Sequence, residues 1–291
     1  MRVHHLNCGS MCPVGIKGTR SVTTLGERAK LVCHCLVIEG RDGLIVVDTG
    51  FGSKDCAQHE RLPLSMRAFM RMRLDPAETL IRQLPRFGYI ASDVRHIILT
   101  HLDFDHAGGI ADFPNATVHV SNVELEVARR QDTTKLRTRY RPSQWNHQVR
   151  WQTFGSEGEP WYGFDSVRNV PGLPPEILIV PLPGHSPGHS GVAVKTERGW
   201  LLHAADAYFH HDEAYTRAGD CPAVLGGYQT MMDWDHTRRL QNLERVRELV
   251  RNERDVTVIC SHDISELELF SGRAKAPARR WDTSQRRTIE V

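Results

Sequence analysis

Residues 101–106, HLDFDH, constrain this chain more than any other part of its sequence. Two histidines and two aspartates alternate with apolar side chains there, directly after an apolar, strand-like run at residues 96–100. On a surface loop Leu102 and Phe104 would be exposed without purpose. In an ordinary core the polar side chains would be buried without partners, at roughly 2–7 kcal/mol each. A metal-binding cluster at the end of a strand accounts for both sets of side chains.

Three further polar groups follow apolar runs later in the chain. Residues 183–191, PGHSPGHSG, carry His185 and His189, and Asp206 and His262 follow the runs 200–204 and 256–260. Each group alone is typical of a turn or a helix cap. Together, and in this order, they indicate one shared site.

Short apolar runs alternate with helix signals along the chain, which predicts an α/β fold. The predicted strands are residues 31–38, 44–48, 96–100, 117–120, 177–180, 191–194, 200–204 and 256–260. Ser121 and Glu124 have the spacing of a helix capping box, and residues 235–252 carry the apolar stripe of an amphipathic helix. The sequence shows no internal repeat and no low-complexity segment.

Two segments depart from this alternation. Residues 61–74 combine arginines with Met66, Phe69 and Met70, which predicts a basic amphipathic helix, either mobile or packed on the surface. Residues 140–175 are rich in aromatic residues, glycine and proline and lack periodicity. This pattern predicts a long functional loop region or a small local core.

Composition and charge exclude several classes of protein. Hydrophobic residues make up 40% and charged residues 25%, which is typical of a globular chain. The net charge of +2 provides no general attraction to nucleic acid or to an anionic membrane. No apolar run has the length of a membrane span or a signal peptide, so we expect a cytoplasmic protein without nucleic-acid or membrane partners. The odd number of cysteines, 7, argues against a disulfide framework and leaves open the roles of Cys8, Cys12, Cys33 and Cys35.

The order and spacing of the polar groups resemble the metallo-β-lactamase superfamily. Its usual pattern of HxHxDH, a PGH histidine, an aspartate and a late histidine matches His101, Asp105, His106, His185, Asp206 and His262, and VDTG at residues 47–50 also matches. The resemblance implies a single domain over residues 1–291, an αββα four-layer sandwich with segments 52–75 and 132–176 shaping its active site. The motifs CHCLVIEGRDGLIVVDTG, THLDFDHAGG and PLPGHSPGHSG are most similar to the N-acyl homoserine lactonases.

This resemblance implies two divalent transition metal ions per chain. The implied ligands form two sets, His101, Asp103 and His185 for one ion and Asp105, His106 and His262 for the other, with Asp206 bridging the ions. Asp48 and His189 would support these ligands from behind. Asp103 stands where the family pattern has its second histidine, and it would bind directly or through a water. A carboxylate there shifts the relative preference from zinc toward iron or manganese.

The implied reaction is hydrolysis of an ester-like bond in a small-molecule substrate, with a lactone as the leading candidate. A hydroxide shared by the two ions would attack the carbonyl, with Asp105 and Asp206 as the catalytic carboxylates. The lactonases often carry a tyrosine three residues after the bridging aspartate, where this chain has Phe209. Tyr208, Phe209 and His210 are therefore the candidate substrate contacts.

Several alternatives stay open at this point. A phosphodiesterase or a thioesterase of the same fold would use the same metal pair. Di-iron oxidoreductases with a similar scaffold carry an acid at the position of Asp103. A non-catalytic binding module is a further class, which the nearly complete ligand set disfavours. A homodimer is compatible with the sequence.

Overall fold

The computed structural model describes residues 1–13, 30–155, 157–216 and 219–272. Within these ranges two β-sheets form the centre of the protein. The strands are β1 (Val3–Met11), β2 (Leu31–Gly40), β3 (Gly43–Val47), β4 (Met72–Arg73), β5 (Val94–Ile98), β6 (Thr117–Ser121), β7 (Arg150–Phe154), β8 (Glu159–Trp161), β9 (Phe164–Asn169), β10 (Ile177–Pro181), β11 (Ser190–Thr196), β12 (Gly199–His203) and β13 (Val256–Ile259). The α-helices are α1 (Ser53–Ala57), α2 (Leu64–Met70), α3 (Leu80–Gln83), α4 (Phe104–Ala107), α5 (Asn122–Arg130), α6 (Thr134–Arg139), α7 (His211–Tyr215), α8 (Ala223–Met232), α9 (His236–Asn252) and α10 (Ile264–Phe270).

The strand order brings several carboxyl ends to common edges of the sheets. The first sheet has the order β4-β1-β2-β3-β5-β6-β7, and the second has the order β13-β12-β11-β10-β9-β8. Strands β3 and β5 are parallel, as are β12 and β13. Strand β10 runs in the same direction as β12 because both are antiparallel to β11. The loops that follow parallel strands begin at the same edge, which is where α/β folds build their sites.

Alternating side chains on the strands separate the layers of the fold. In β2, Leu36 faces the core between the two sheets, and Val37 faces the outer core of the first sheet. Leu125 of α5 packs on that outer core, and Leu243 of α9 packs on the outer face of the second sheet. The resulting order of helices, sheet, sheet and helices confirms the predicted αββα four-layer sandwich.

Helix α9 follows the prediction for residues 235–252. Asp235 precedes it, and the Asp235 carboxylate accepts a hydrogen bond from the backbone N–H of Arg238 at 2.9 Å. Leu243 is buried on the predicted stripe. Leu240, which the sequence places on the same stripe, is 43% exposed. The buried face instead includes Arg239, so the stripe is turned slightly around the helix axis.

The aromatic segment 140–175 contains strands rather than one long loop. Strand β7 lies at the edge of the first sheet, and β8 and β9 lie at the end of the second. Most of β7 is exposed on both faces, so it lacks the alternation that predicts a half-buried strand. Trp145 packs on the outer core of the first sheet, and Trp161 packs on that of the second.

The helix predicted at residues 61–74 is shorter in the structure. Helix α2 begins after Pro63 and ends at Met70, and the φ of 46° at the next residue, Arg71, lies in the left-handed region. Strand β4 follows and pairs with β1, which fixes the end of the segment on the first sheet. Met70 is buried, whereas Phe69 is 60% exposed. The apolar side chains of α2 thus point partly into the core and partly outward.

No helix in the described part of the chain has the length and apolar character needed to cross a bilayer. All of the cysteines lie within the described ranges, and each of them is free. Most of the thiols are buried as small apolar groups in the core, in agreement with the prediction that the chain has no disulfide framework.

We expect Gly50→Ala to destabilise the fold more than Gly88→Ala. Both glycines have left-handed backbones, with φ of 63° and 83°. A Cβ on Gly50 would lie 2.2 Å from the carbonyl oxygen of Cys8, whereas a Cβ on Gly88 would meet nothing within 4 Å. Backbone strain should cost each variant about 1–2 kcal/mol in free energy of unfolding. The overlap should cost Gly50→Ala about 1–3 kcal/mol more. Urea unfolding measures both losses, and equal losses would contradict this explanation.

Candidate metal centre

Loops that follow five strands bring their polar side chains together in one buried site. The loop after β3 contributes Asp48, and the loop after β5 contributes His101, Asp103, Asp105 and His106. The loop after β10 contributes His185 and His189, the loop after β12 contributes Asp206, and the loop after β13 contributes His262. All of these side chains are buried. The structure thus collects the predicted metal-binding and supporting residues at one place.

Asp206 lies between two groups of side chains. Its Oδ2 atom is 3.4 Å from His185 Nε2 and 3.1 Å from His262 Nε2, and its Oδ1 atom is 3.3 Å from His106 Nε2. The first group is His101, His185 and Asp206, and the second is Asp105, His106 and His262. Within each group the ligand atoms lie within 4.8 Å of one another. A single carboxylate therefore faces histidines of both groups.

Several atoms that face this centre have no hydrogen-bond partner among the described residues. They are Nε2 of His101, Nε2 of His106 and Oδ1 of Asp206. An unpaired buried polar group costs about 1–3 kcal/mol. Neutral imidazole nitrogens and carboxylate oxygens are electron-pair donors, and such donors facing one another are what a divalent cation binds. The residues present therefore fit metal ions.

Hydrogen bonds on the far side of the rings orient two of the histidines. His106 Nδ1 lies 2.8 Å from Asp48 Oδ2, and His262 Nδ1 lies 2.8 Å from the carbonyl oxygen of Val32. A proton on each Nδ1 satisfies these acceptors. The lone pair of each Nε2 then points into the site, which is the tautomer that a metal ligand requires.

Asp48 fastens the first metal-binding loop to the end of β3. Besides His106, it accepts hydrogen bonds from the backbone N–H of Thr100 at 2.9 Å and from Thr100 Oγ1 at 2.8 Å. Thr100 Oγ1 is in turn 3.0 Å from His101 Nδ1. Asp48 itself adopts a left-handed backbone with φ of 55°. One carboxylate thus positions both histidines that begin and end the HLDFDH segment.

His189, which follows His185 by four residues, lies behind the ligand cluster. Its Nδ1 lies 2.8 Å from the carbonyl oxygen of Leu182, and its Nε2 accepts a hydrogen bond from the backbone N–H of Asp206 at 3.0 Å. Both ring nitrogens are therefore used within the protein. His189 fixes the backbone of Asp206 and has no free atom for a metal.

The carboxylates of the site differ in how readily they take a proton. Burial by itself would raise the pKa of Asp206, but His262 and His106 outweigh burial and hold that pKa well below its usual range. For Asp105, burial raises the pKa and outweighs the opposing charges of His106 and His262. Asp206 is thus held ionised, and Asp105 is the carboxylate better suited to accept a proton.

Asp103 lies beside the first group and is paired with a buried arginine. Its Oδ2 is 3.1 Å from His185 Nε2 and 3.4 Å from His101 Nε2. Arg139, at the end of α6, donates from Nε to Oδ1 at 2.6 Å and from its terminal nitrogen to Oδ2 at 2.8 Å. Sequence reasoning missed Arg139, because an arginine at the end of a polar helix usually faces solvent.

Glu124 is a second residue with a role that its sequence context does not reveal. The Ser121–Glu124 spacing predicts a capping box, but Ser121 makes no side-chain cap and Glu124 is fully buried. The Glu124 carboxylate accepts hydrogen bonds from the backbone N–H groups of Leu102 at 3.1 Å and Gly188 at 2.9 Å. It also accepts one from Ser186 Oγ at 2.8 Å. Tertiary contacts to the metal-binding loops have replaced the local cap.

The candidate substrate contacts at residues 208–210 have different surroundings. Tyr208 is completely buried, and its hydroxyl donates to Glu266 Oε1 at 2.9 Å, so this hydroxyl is not directed at a substrate. His210 caps helix α7 by accepting from the backbone N–H of Asp212 at 3.3 Å. Phe209 faces the metal centre, with its ring centroid 4.5 Å from that of His262.

Tyr228 on α8 also reaches this side of the site, although no sequence motif marks it. Its ring centroid is 6.1 Å from that of Phe209 and 6.2 Å from that of Phe69 on α2. Burial raises the pKa of the Tyr228 phenol, and the charges of Asp105 and Asp103 raise it further. The phenol therefore remains protonated and able to donate a hydrogen bond.

The sequence family agrees with this fold and this site. The model of the metallo-beta-lactamase superfamily matches residues 28–262. The chain belongs to the metallo-β-lactamase superfamily. This superfamily fold implies a dinuclear divalent metal site, and the two histidine and aspartate groups around Asp206 lie where such a site would form.

Similar proteins include metallo-hydrolases and lactonases. A protein described as a probable metallo-hydrolase from Mycobacterium tuberculosis is 40% identical over 264 residues, which cover 90% of this chain and 80% of that protein. An N-acyl homoserine lactonase from Bacillus cereus is 27% identical over 260 residues, covering 88% of this chain and 90% of the lactonase.

A solved structure shares the fold of this chain. A mutant of AiiA from Bacillus thuringiensis, with N-decanoyl-L-homoserine bound at the active site, superposes with a TM-score of 0.68 at 22% identity. The match covers 92% of this chain and 95% of that chain.

We expect Asp48→Asn to weaken metal binding. The substitution preserves the size of the side chain but removes the charge that orients His106 from behind. Loss of such a supporting carboxylate typically lowers metal affinity about 10–100-fold. Chelator competition measures the dissociation constants, with the exposed Asp42→Asn as the matched control. Equal affinity in the two variants would show that Asp48 does not support a ligand.

Proposed function

We propose that this protein is a dinuclear metal-dependent hydrolase of ester-like bonds, with a lactone as its leading substrate. The observation that carries the proposal is the position of Asp206, whose two oxygens face histidines of both ligand groups. A buried carboxylate between two sets of unpaired electron donors is suited to bridge two cations. Relatives that are N-acyl homoserine lactonases support the choice of a lactone.

The proposed ligands are the ones implied by the family pattern. They are His101, Asp103 and His185 for one ion, Asp105, His106 and His262 for the other, and Asp206 for both. The ions would supply a nucleophilic hydroxide near neutral pH and polarise the substrate carbonyl. Asp206 holds the two ligand groups in a common geometry. Asp105, whose pKa is raised by burial, accepts the proton of the attacking water at a carboxylate oxygen.

An aromatic wall of Phe209, Tyr228 and Phe69 would hold the substrate beside the metal centre. We propose that the Tyr228 hydroxyl donates a hydrogen bond to an oxygen of the substrate. The Tyr228 ring packs on Phe209, and the Phe209 ring centroid lies 4.5 Å from that of His262, which supports a position for the phenol on this side of the site. Segments 52–75 and 132–176 would shape the site, since the first supplies Phe69 and the second supplies Arg139.

A turnover screen tests the proposed reaction. The metal-loaded protein is assayed on lactones, linear esters, thioesters and phosphodiesters under identical conditions. The proposal expects the highest kcat/KM on a lactone. A higher kcat/KM on a phosphodiester or a thioester than on any lactone would overturn the lactone assignment. If no substrate of the panel is hydrolysed, the assignment of the protein as a hydrolase is wrong.

Asp206→Asn should abolish most of the activity. The amide retains the size of the carboxylate but loses its charge and one of its two oxygen ligands, so both ions would be held more weakly. We expect kcat/KM to fall by at least about 100-fold and the metal content to fall below that of the unsubstituted protein. Asp165→Asn, at an exposed acid, is the control. Normal metal content and turnover in Asp206→Asn would contradict the bridging role.

Tyr228→Phe should lower activity without affecting metal binding. The substitution removes one hydroxyl and keeps the aromatic ring that packs on Phe209. Loss of one oriented donor to a developing oxyanion typically lowers kcat about 10²–10³-fold. Steady-state kinetics together with metal analysis check this expectation, and Tyr162→Phe on the surface is the control. An unchanged kcat would show that the Tyr228 hydroxyl does not contact the reacting group.

A further inference from the structure

A buried arginine neutralises the carboxylate that replaces a histidine in the family pattern. Arg139 and Asp103 are both almost completely buried, and the planar guanidinium contacts both carboxylate oxygens. Such a two-point pair fixes the position of a carboxylate more firmly than a single hydrogen bond does. The Oδ2 atom remains within 3.1 Å of His185 Nε2 and 3.4 Å of His101 Nε2.

The other contacts of Arg139 hold it in this position. One terminal nitrogen donates to the carbonyl oxygens of His185 at 2.7 Å and of Met232 at 2.8 Å. The guanidinium thus connects the loop of Asp103, the loop of His185 and the end of helix α8. Because Arg139 donates to all of these acceptors, its guanidinium is not free to leave Asp103 when a cation binds nearby.

The charge of this pair is what distinguishes it from an isolated aspartate. A lone carboxylate in place of an imidazole adds one negative charge to the ligand set, and such a hard oxygen donor shifts the relative preference from zinc toward iron or manganese. The guanidinium supplies one positive charge in direct contact with that carboxylate. Asp103 and Arg139 together are therefore neutral, as the replaced imidazole would be.

We propose that Arg139 is a positioning residue that makes Asp103 act as a charge-neutral ligand, so that the ion held with His101 and His185 keeps a preference for zinc over manganese. This inference rests on the metal ligands of the proposed function. It replaces the expectation, drawn from the sequence, that Asp103 shifts the site toward iron or manganese. Arg139 acts through Asp103 and does not touch the ion.

Competitive binding of zinc and manganese tests the inference without an activity assay. Each variant is titrated with both metals against a chelator, and the ratio of the two dissociation constants is compared. Arg139→Gln keeps a hydrogen-bond donor but removes the charge, so the ratio should shift toward manganese by on the order of tenfold. Arg139→Lys retains the charge but loses the two-point geometry, so its ratio should shift in the same direction by clearly less than that of Arg139→Gln.

Two further variants separate the charge effect from damage to the fold. In an Asp103→Asn background, Arg139→Gln should produce no additional shift in the ratio, because no carboxylate is left to compensate. Arg239→Gln removes the guanidinium of another buried pair, in which Arg239 Nε donates to Asp233 at 2.9 Å. That variant should lose stability but keep the zinc-to-manganese ratio.

The outcomes distinguish this inference from the function on which it rests. Failure of the unsubstituted protein to bind two ions would contradict the proposed metal centre. If two ions bind but Arg139→Gln leaves the ratio unchanged, the inference is wrong and the metal centre stands. An equal shift in Arg139→Gln and Arg139→Lys would also overturn it, because geometry rather than charge would then set the preference.

Discussion

The site depends on buried carboxylates that hold its loops in place by hydrogen bonds. Asp48 holds Thr100 and His106 at the two ends of the HLDFDH loop. Glu124 binds the backbone of Leu102 in that loop and of Gly188 in the PGHSPGHSG loop. These hydrogen bonds link two loops that are far apart in the sequence. The fold thus contributes to the ligand geometry through contacts behind the ligands.

Charge balance is the second constraint on this site. Asp103, Asp105 and Asp206 lie close together in the interior, and two like charges 4 Å apart repel by about 4 kcal/mol at an effective dielectric constant of 20. Arg139 offsets the first of these carboxylates, and burial raises the pKa of Asp105. Asp206 remains ionised between the histidines. The charge that stays uncompensated is concentrated where the two ligand groups meet.

Local patterns in the sequence predicted an α/β fold and one shared polar site, and the family resemblance implied the αββα sandwich and the two ligand sets. Each candidate ligand directly follows an apolar strand, and strands that end at one edge bring their loops together. Arg139, Glu124 and Tyr228 were not predictable in this way. Their partners lie on other segments of the chain, and a helix gives the same local pattern whether such a residue faces solvent or a buried carboxylate. Strand β7 was missed because it is exposed on both faces.

Arg139 also connects the metal centre to the surface that would contact a substrate. The guanidinium that donates to Asp103 also donates to the carbonyl oxygen of Met232, in the last turn of α8. Tyr228 lies one turn earlier on that helix. Phe209, at the position where the lactonases often carry a tyrosine, packs against the Tyr228 ring. A phenol thus packs against Phe209, on a helix that is distant in sequence from the loop after β12. The same buried arginine thus contacts both Asp103 and the last turn of the helix that carries this phenol.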